Sequence, residues 1–171
     1  ARADAVILDL EDAVRPEGKA LARTHVIEAE LDPARVVVRV NVPGSAEFAA
    51  DLAAVAASPF RTVMVAKAED PAALDVFDTD YAVIGLCETA RGVQAADALA
   101  AHPRVTALMW GAEDLVASLG GTSSRRPDGA YRDVARYARS RVLIAAGAHG
   151  RAAIDAVHLD IDDSAGLGEE A

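Results

Sequence analysis

The chain has 171 residues, 52% of them hydrophobic, which is enough apolar material for one domain with a true core and excludes a disordered or fibrous polymer. Its formal net charge of −10, from 27 Asp and Glu against 17 Lys and Arg, repels a phosphate backbone and speaks against nucleic acid as a partner. No apolar run approaches the roughly 18 residues of a membrane span, so no membrane partner is expected. One cysteine, Cys87, excludes a disulfide framework and fits a reducing cytoplasm. The opening ARADAVILDLED lacks the order of a secretory signal, begins close to a strand without an initiator Met, and reads as if a beginning is missing.

The first element in chain order is the strand VILDL (6–10), followed by helical spacing over 17–31. VVVRV (36–40) is the next strand, a helix follows over 46–57, and TVMVAK (62–67) is the third strand. A helix over 70–77 leads to the strand YAVIGLCE (81–88), and a helix over 89–101 to VTALMWG (105–111). A short helix over 113–119, a long one over 128–150 and a last strand, AVHLD (156–160), complete the series. Pro33, Pro59, Pro71 and Pro103 fall at or beside the junctions, where helices stop or start. Strand–helix alternation at this spacing predicts parallel strands joined by crossover helices, in a single domain over 1–171.

Each strand closes on polar groups: Asp9 and Glu11, Arg39 and Asn41, Lys67, Glu88, Asp114 just past its strand, and Asp160. A spacing of two places Asp9 with Glu11, and Arg39 with Asn41, on one strand face. Chemistry-bearing residues at the C-terminal ends of all six strands favour a (β/α)8 TIM barrel over an open doubly wound sheet, which gathers its ligands near one switch point. A closed barrel needs eight strands and about 250 residues. The expectation is therefore about six β/α units, with the first and last strands missing.

The runs VILDLEDAV (6–14), VVVRVN (36–41), LCETARGV (86–93), LMWGAEDLVASLGG (108–121) and AVHLDIDDSAGL (156–167) together resemble the citrate lyase beta-subunit-like family. That family lies in the HpcH/HpaI aldolase/citrate lyase superfamily, which also holds metal-dependent 2-keto-acid aldolases. The motifs are collinear over nearly the whole chain, and the family fold is a (β/α)8 barrel. Its members run longer at both ends, where their terminal segments help to bind the thioester and close the site.

Glu88 and Asp114 are hard oxygen donors 26 positions apart, suited to Mg²⁺ with water and substrate completing the shell, and no His or Cys set suits zinc. The resemblance implies that this pair holds Mg²⁺. The same residues also admit a structural reading, in which Glu88 pairs with Arg91 and Asp114 caps the following helix. Arg39 inside an apolar strand needs a partner, and Asp9 or Glu11 can supply it. In the resembling family the Arg at this position binds substrate and stabilises the enolate, and the Glu at the place of Glu11 orients water or substrate. Ala112 and Glu113, in the same motif as Asp114, are implied substrate contacts.

Asp12 stands where the aldolase branch carries a His base, which moves the reading toward the lyase branch. The loop LGGTSSRRPDGAY (119–131) lacks the spacing of a nucleotide P-loop. It reads either as a solvated loop or as a wall of the site that sets Arg125 and Arg126 against the phosphates of CoA. Cys87 and Trp110 read as packing, and His158 as a buried strand histidine. Lys67 resembles the family's strand-end Lys; a Schiff base there is conceivable but unnecessary beside a metal pair.

The resemblance implies a Mg²⁺-dependent carbon–carbon lyase that acts on a 3-hydroxy-acid CoA thioester (citramalyl-, citryl- or malyl-CoA), or on the same acyl group borne by an acyl carrier protein. The assembly it implies is a homotrimer or hexamer. The alternatives are a metal-dependent 2-keto-acid aldolase and a non-catalytic acyl-CoA-binding subunit.

Overall fold

In the computed structural model, which describes residues 3–170, six parallel strands lie side by side in chain order. They are β1 (Val6–Asp9), β2 (Val36–Val40), β3 (Thr62–Val65), β4 (Ala82–Cys87), β5 (Val105–Trp110) and β6 (Ala152–Ile154). The crossovers carry α1 (Lys19–Glu28), α2 (Phe48–Ala57), α3 (Ala90–Ala101), α4 (Ala112–Ser118) and α5 (Asp133–Ala148), and α6 (Ser164–Glu170) follows β6. Sequential parallel order is that of a β/α barrel. Here the sheet is open, and Ile7 on β1 and Ile154 on β6 are exposed along its edges.

Strand alternation divides the core in two. Val38, Val40, Val63, Val65, Val83 and Leu108 point outward and are fully buried against the helices, where Leu99 and Val142 meet them. On the other face Val37, Met64, Ile84, Leu86, Ala107 and Met109 form a smaller cluster that lines the concave side. The register sets Asp9 opposite Arg39 and Cys87 opposite Trp110.

Local chemistry explains the junctions. Thr89 caps α3, its hydroxyl oxygen accepting the Gly92 N–H at 3.0 Å. Asp70 accepts the Ala72 N–H at 2.9 Å, and with Pro71 at its first position the stretch Pro71–Val76 closes as a 3₁₀ helix. The spacing over 70–77 suggests an α-helix, but the segment is six residues long and Asp70 fixes a tighter turn.

Two other expectations shift. The long helix begins at Asp133, because residues 124–132 are folded into the preceding loop by the Arg125–Tyr131 bridge and the Arg132 N–H bond to Ser124 O at 2.8 Å. The sixth strand is Ala152–Ile154, which pairs with residues 107–109, rather than 156–160. Asp155 ends it: the carboxylate turns back to accept from the Trp110 indole N–H and from Arg139. The alternation of Val157 and Leu159 imitates a strand, yet both are about 60% exposed, at 60% and 62%. His158 consequently lies outside any strand, with Asp163 3.6 Å from its Nε2.

Candidate active site

The C-terminal ends of the strands surround a cavity of about 300 Å³. Its floor is apolar, made of Ile7, Met64, Leu86 and Met109, and its rim carries Asp9, Arg39, Glu88, Glu113 and Asp114. Alternation puts these residues there: 7 and 9, 86 and 88, and 109 and 111 share the concave face of their strands.

Arg39 is held by a fork–fork bond to Asp9, with Nε to Oδ1 at 2.7 Å and Nη2 to Oδ2 at 2.6 Å, while Nη1 stands 3.5 Å from Glu11 Oε2. Burial alone would raise the Asp9 carboxyl. The Arg39 fork and the N–H groups of Glu11 and Ala13 outweigh it and hold Asp9 below the usual carboxylate range. The partner predicted for a guanidinium inside a strand is thus present, and Arg39 still faces the cavity. Asn41 does not join it. Past the end of β2 it turns outward, donating to Leu10 O and Asp51 Oδ2 at 2.7 and 2.6 Å.

Lys67 plays a larger part than its sequence position suggests. It is the one non-glycine with positive φ (48°) among the described residues. That turn aims its N–H at Glu88 Oε1, 3.1 Å away, and its ammonium into a group of carboxylates. Nζ donates to Glu11 Oε1 and to Asp12 Oδ2 (3.0 Å), and lies 3.8 Å from Asp114 Oδ2. Burial would favour the neutral amine, but the bonds to Glu11 and Asp12 prevail and raise its pKa. An amine whose charged form is favoured in this way is a poor nucleophile for a Schiff base. Asp12 is held below its usual range by the same bond.

Glu88 is 3% exposed, and burial followed by repulsion from Asp114 pushes its carboxyl up to about 7. Asp114, in the first turn of α4, is within hydrogen-bond reach of Glu88. Neither structural alternative holds for this pair. Arg91 turns to Glu69 at 3.5 Å, and Asp114 makes no capping bond, since the N-cap of α4 is Gly111. Two carboxylates crowded at the edge of a cavity, one of them with its pKa raised by burial and by its neighbour, suit a hard dication that takes two protein oxygens and fills its shell from water and substrate. Among the described residues no three His, Cys, Asp or Glu side chains form a closed metal cage.

The remaining candidates divide. Ala112 and Glu113 line the cavity, with Glu113 Oε1 accepting from the buried Ser124 hydroxyl. That bond pins the Gly- and Ser-rich loop against the site, so it is a wall. Arg125 lines the cavity with its guanidinium 3.9 Å above the Tyr131 ring, whereas Arg126 points away to Asp133 at 3.1 Å. Asp160 is exposed and is not among the residues that line the cavity. Cys87 faces the outer core, as alternation predicts, and burial pushes its thiol up to about 12. Sequence reasoning missed Tyr131 and underrated Lys67. Among the described residues no helix is long and apolar enough to cross a membrane.

The chain is 55% identical over 172 residues to a citrate lyase subunit beta-like protein of Mycobacterium tuberculosis (strain ATCC 25618 / H37Rv), covering 100% of this chain and 62% of that protein. It is 35% identical over 175 residues to a (3S)-malyl-CoA thioesterase of Cereibacter sphaeroides (strain ATCC 17029 / ATH 2.4.9), covering 98% and 60%. The crystal structure of protein CitE from Mycobacterium tuberculosis in complex with magnesium, acetoacetate and coenzyme A superposes with a TM-score of 0.94. The identity there is 54%, over 98% of this chain and 62% of that one. The chain thus spans about three fifths of the length of these relatives. Residues 1–171 match the HpcH/HpaI aldolase/citrate lyase family throughout, and the chain belongs to that family.

Proposed function

We propose that this chain carries the site of a Mg²⁺-dependent carbon–carbon lyase that cleaves a 3-hydroxy-acid CoA thioester into acetyl-CoA and a 2-keto acid. The observation that carries the reading is the Glu88–Asp114 carboxylate pair on the rim of the same cavity as Arg39. The bound magnesium, acetoacetate and coenzyme A of the 54% identical relative support it.

Glu88 and Asp114 would hold the metal. When bound, Mg²⁺ supplies Lewis-acid polarisation of a substrate oxygen and relieves the repulsion between the two carboxylates. Loss of the substrate's hydroxyl proton lets the adjacent C–C bond break. The electron pair moves onto the thioester carbonyl, and a proton then completes the acetyl group. Arg39, immobilised by Asp9, presents Nη1 to the developing enolate oxygen, where fixed charge lowers the barrier most. Glu11, gripped by Lys67, orients the groups between Arg39 and the metal pair. Asp12 is bonded to Lys67 and does not stand ready as the base an aldolase would need. Arg125, which lines the cavity, would meet a CoA phosphate; Arg126, paired with Asp133, would reach one only by leaving that partner. We expect a homotrimer or hexamer, which light scattering reads directly.

The test is to incubate the protein with Mg²⁺ and citramalyl-, citryl- or malyl-CoA and to follow acetyl-CoA, keto acid and free CoA separately. The lyase reading expects acetyl-CoA and keto acid in equal amounts, abolished by EDTA and reduced by about 10²-fold or more in Glu88→Ala and Asp114→Ala. Free CoA with an intact hydroxy acid would instead identify thioester hydrolysis, the reaction in the name of the Cereibacter relative. Thioester binding without turnover would mark a binding subunit.

A further inference from the structure

Behind the site, on the helical side of the sheet, lies a chain of buried charge that none of the chemistry above uses. Lys19, at the start of α1, is 9% exposed, and its ammonium finds three acceptors: Leu10 O at 2.6 Å, Glu11 O at 2.8 Å and Asn41 Oδ1 at 3.0 Å. An ammonium has three hydrogens to give, so the group is fully satisfied. Asn41 also donates to Leu10 O, and it gives both its side-chain and backbone N–H to Asp51 Oδ2 at 2.6 and 2.9 Å. Asp51 on α2 is fully buried, and Arg23 of α1 closes the chain through Asp51 Oδ1 at 2.8 Å. Arg23 pairs with both Asp51 and Glu47, and Lys19 is linked to Asp51 through Asn41.

The two carbonyls that Lys19 holds belong to the residues that leave β1. Glu11 is the second of them, and its side chain crosses to the opposite side of the sheet end, where it meets Lys67 Nζ and Arg39 Nη1. An apolar side chain at position 19 would leave Leu10 O to Asn41 Nδ2 at 2.7 Å and Glu11 O to the Val14 N–H at 3.0 Å, removing the one charged donor that ties the two carbonyls together and giving the Leu10–Glu11 peptide more room to rotate. Rotation of that peptide carries the Glu11 carboxylate with it. We propose that Lys19 is a positioning residue: from outside the sheet, its ammonium fixes the Leu10–Glu11 backbone and so sets the aim of Glu11 at Lys67 and Arg39. The link to catalysis rests on the lyase reading above; the link to Glu11 does not.

The chain has two lysines, Lys19 and Lys67, which makes a direct readout available. Trace acetylation with acetic anhydride, followed by peptide mass spectrometry, measures the reactivity of the Lys67 amine without any turnover. The variants are Lys19→Met, Lys19→Arg, Glu11→Gln and the double variant Lys19→Met/Glu11→Gln, each taken forward at a temperature where circular dichroism shows it folded. Lys19→Arg covers the case in which Lys19→Met does not fold, since it keeps the charge but cannot place three N–H groups on the same acceptors.

The proposal expects Lys67 to be acetylated several-fold faster in Lys19→Met, by a smaller factor in Lys19→Arg, and no faster in the double variant than in Glu11→Gln alone. Unchanged Lys67 reactivity in a folded Lys19 variant, or effects of Lys19→Met and Glu11→Gln that simply multiply, overturns it. If the wild type cleaves a CoA thioester, kcat in Lys19→Met is expected to fall about 10–100-fold with KM little changed. If the wild type cleaves nothing, the lyase reading fails while the acetylation result still decides the role of Lys19.

Discussion

Gly111 shows how little room the site leaves. Its φ of −124° is open to any residue, but a Cβ there would sit 2.8 Å from Glu88 Cβ and 2.9 Å from Glu88 Oε2. The missing side chain is therefore the space in which the Glu88 carboxylate lies. Gly111→Ala is expected to displace that carboxylate, costing about 1–3 kcal/mol of stability by overpacking and weakening Mg²⁺ binding about 10–100-fold. Calorimetric titration with Mg²⁺ alongside thermal denaturation checks both. Gly147 in α5 has nothing within 4 Å of its Cβ position, so Gly147→Ala is the control, neutral or stabilising by up to about 1 kcal/mol. Mg²⁺ affinity that survives Gly111→Ala in folded protein would remove Glu88 from the metal site.

At the scale of elements, β6 separates what pattern can reveal from what packing decides. β1 to β5 are Val- and Ile-rich runs whose period marks them as strands, and they fold within a residue or two of their sequence limits. Glu88, Asp114, Arg39 and Glu11 were legible because each ends or follows such a run. For the sixth strand the structure uses Ala152–Ile154, whereas the sequence, through the alternation of Val157 and Leu159, predicts 156–160. What selects the first is a tertiary contact: Asp155 receives the indole N–H of Trp110, itself 1% exposed, and pairs with Arg139 of α5. Lys67 was underrated for a related reason, since its three carboxylate neighbours meet it only after the segments that follow β1, β3 and β5 come together. Asp155→Ala is accordingly expected to lower stability by about 1–3 kcal/mol through the unpartnered Trp110 N–H. Asp160→Ala, at an exposed position, should stay within about 0.5 kcal/mol of wild type. Urea denaturation of the two variants distinguishes the registers, and equal effects would contradict the observed strand.

Across the whole molecule, the two faces of the sheet do different work. The outer face joins strands and helices in one continuous core, from Leu10 and Val38 through Leu108 and Trp110 to Val142, whereas the inner cluster around Met64 and Leu86 borders the cavity. Stability therefore resides mainly on the side away from the chemistry, and the site can adjust without loosening the fold. Cys87 reports on that division, because it is fully buried in the outer core one residue before Glu88. Burial, with a smaller push from Glu88, raises its thiol to about 12, so little thiolate forms at neutral pH while the core stays closed. Native protein at pH 8 is expected to resist iodoacetamide for hours, and in urea the labelling should rise together with the loss of circular dichroism, as for a single cooperative unit. Labelling well below that midpoint would mean that β4 parts from the helical layer on its own, and that the six strands do not unfold as one body. A ligand that fills the cavity would then protect Cys87 only by the amount that it stabilises the whole fold, since nothing bound on the inner face touches the thiol.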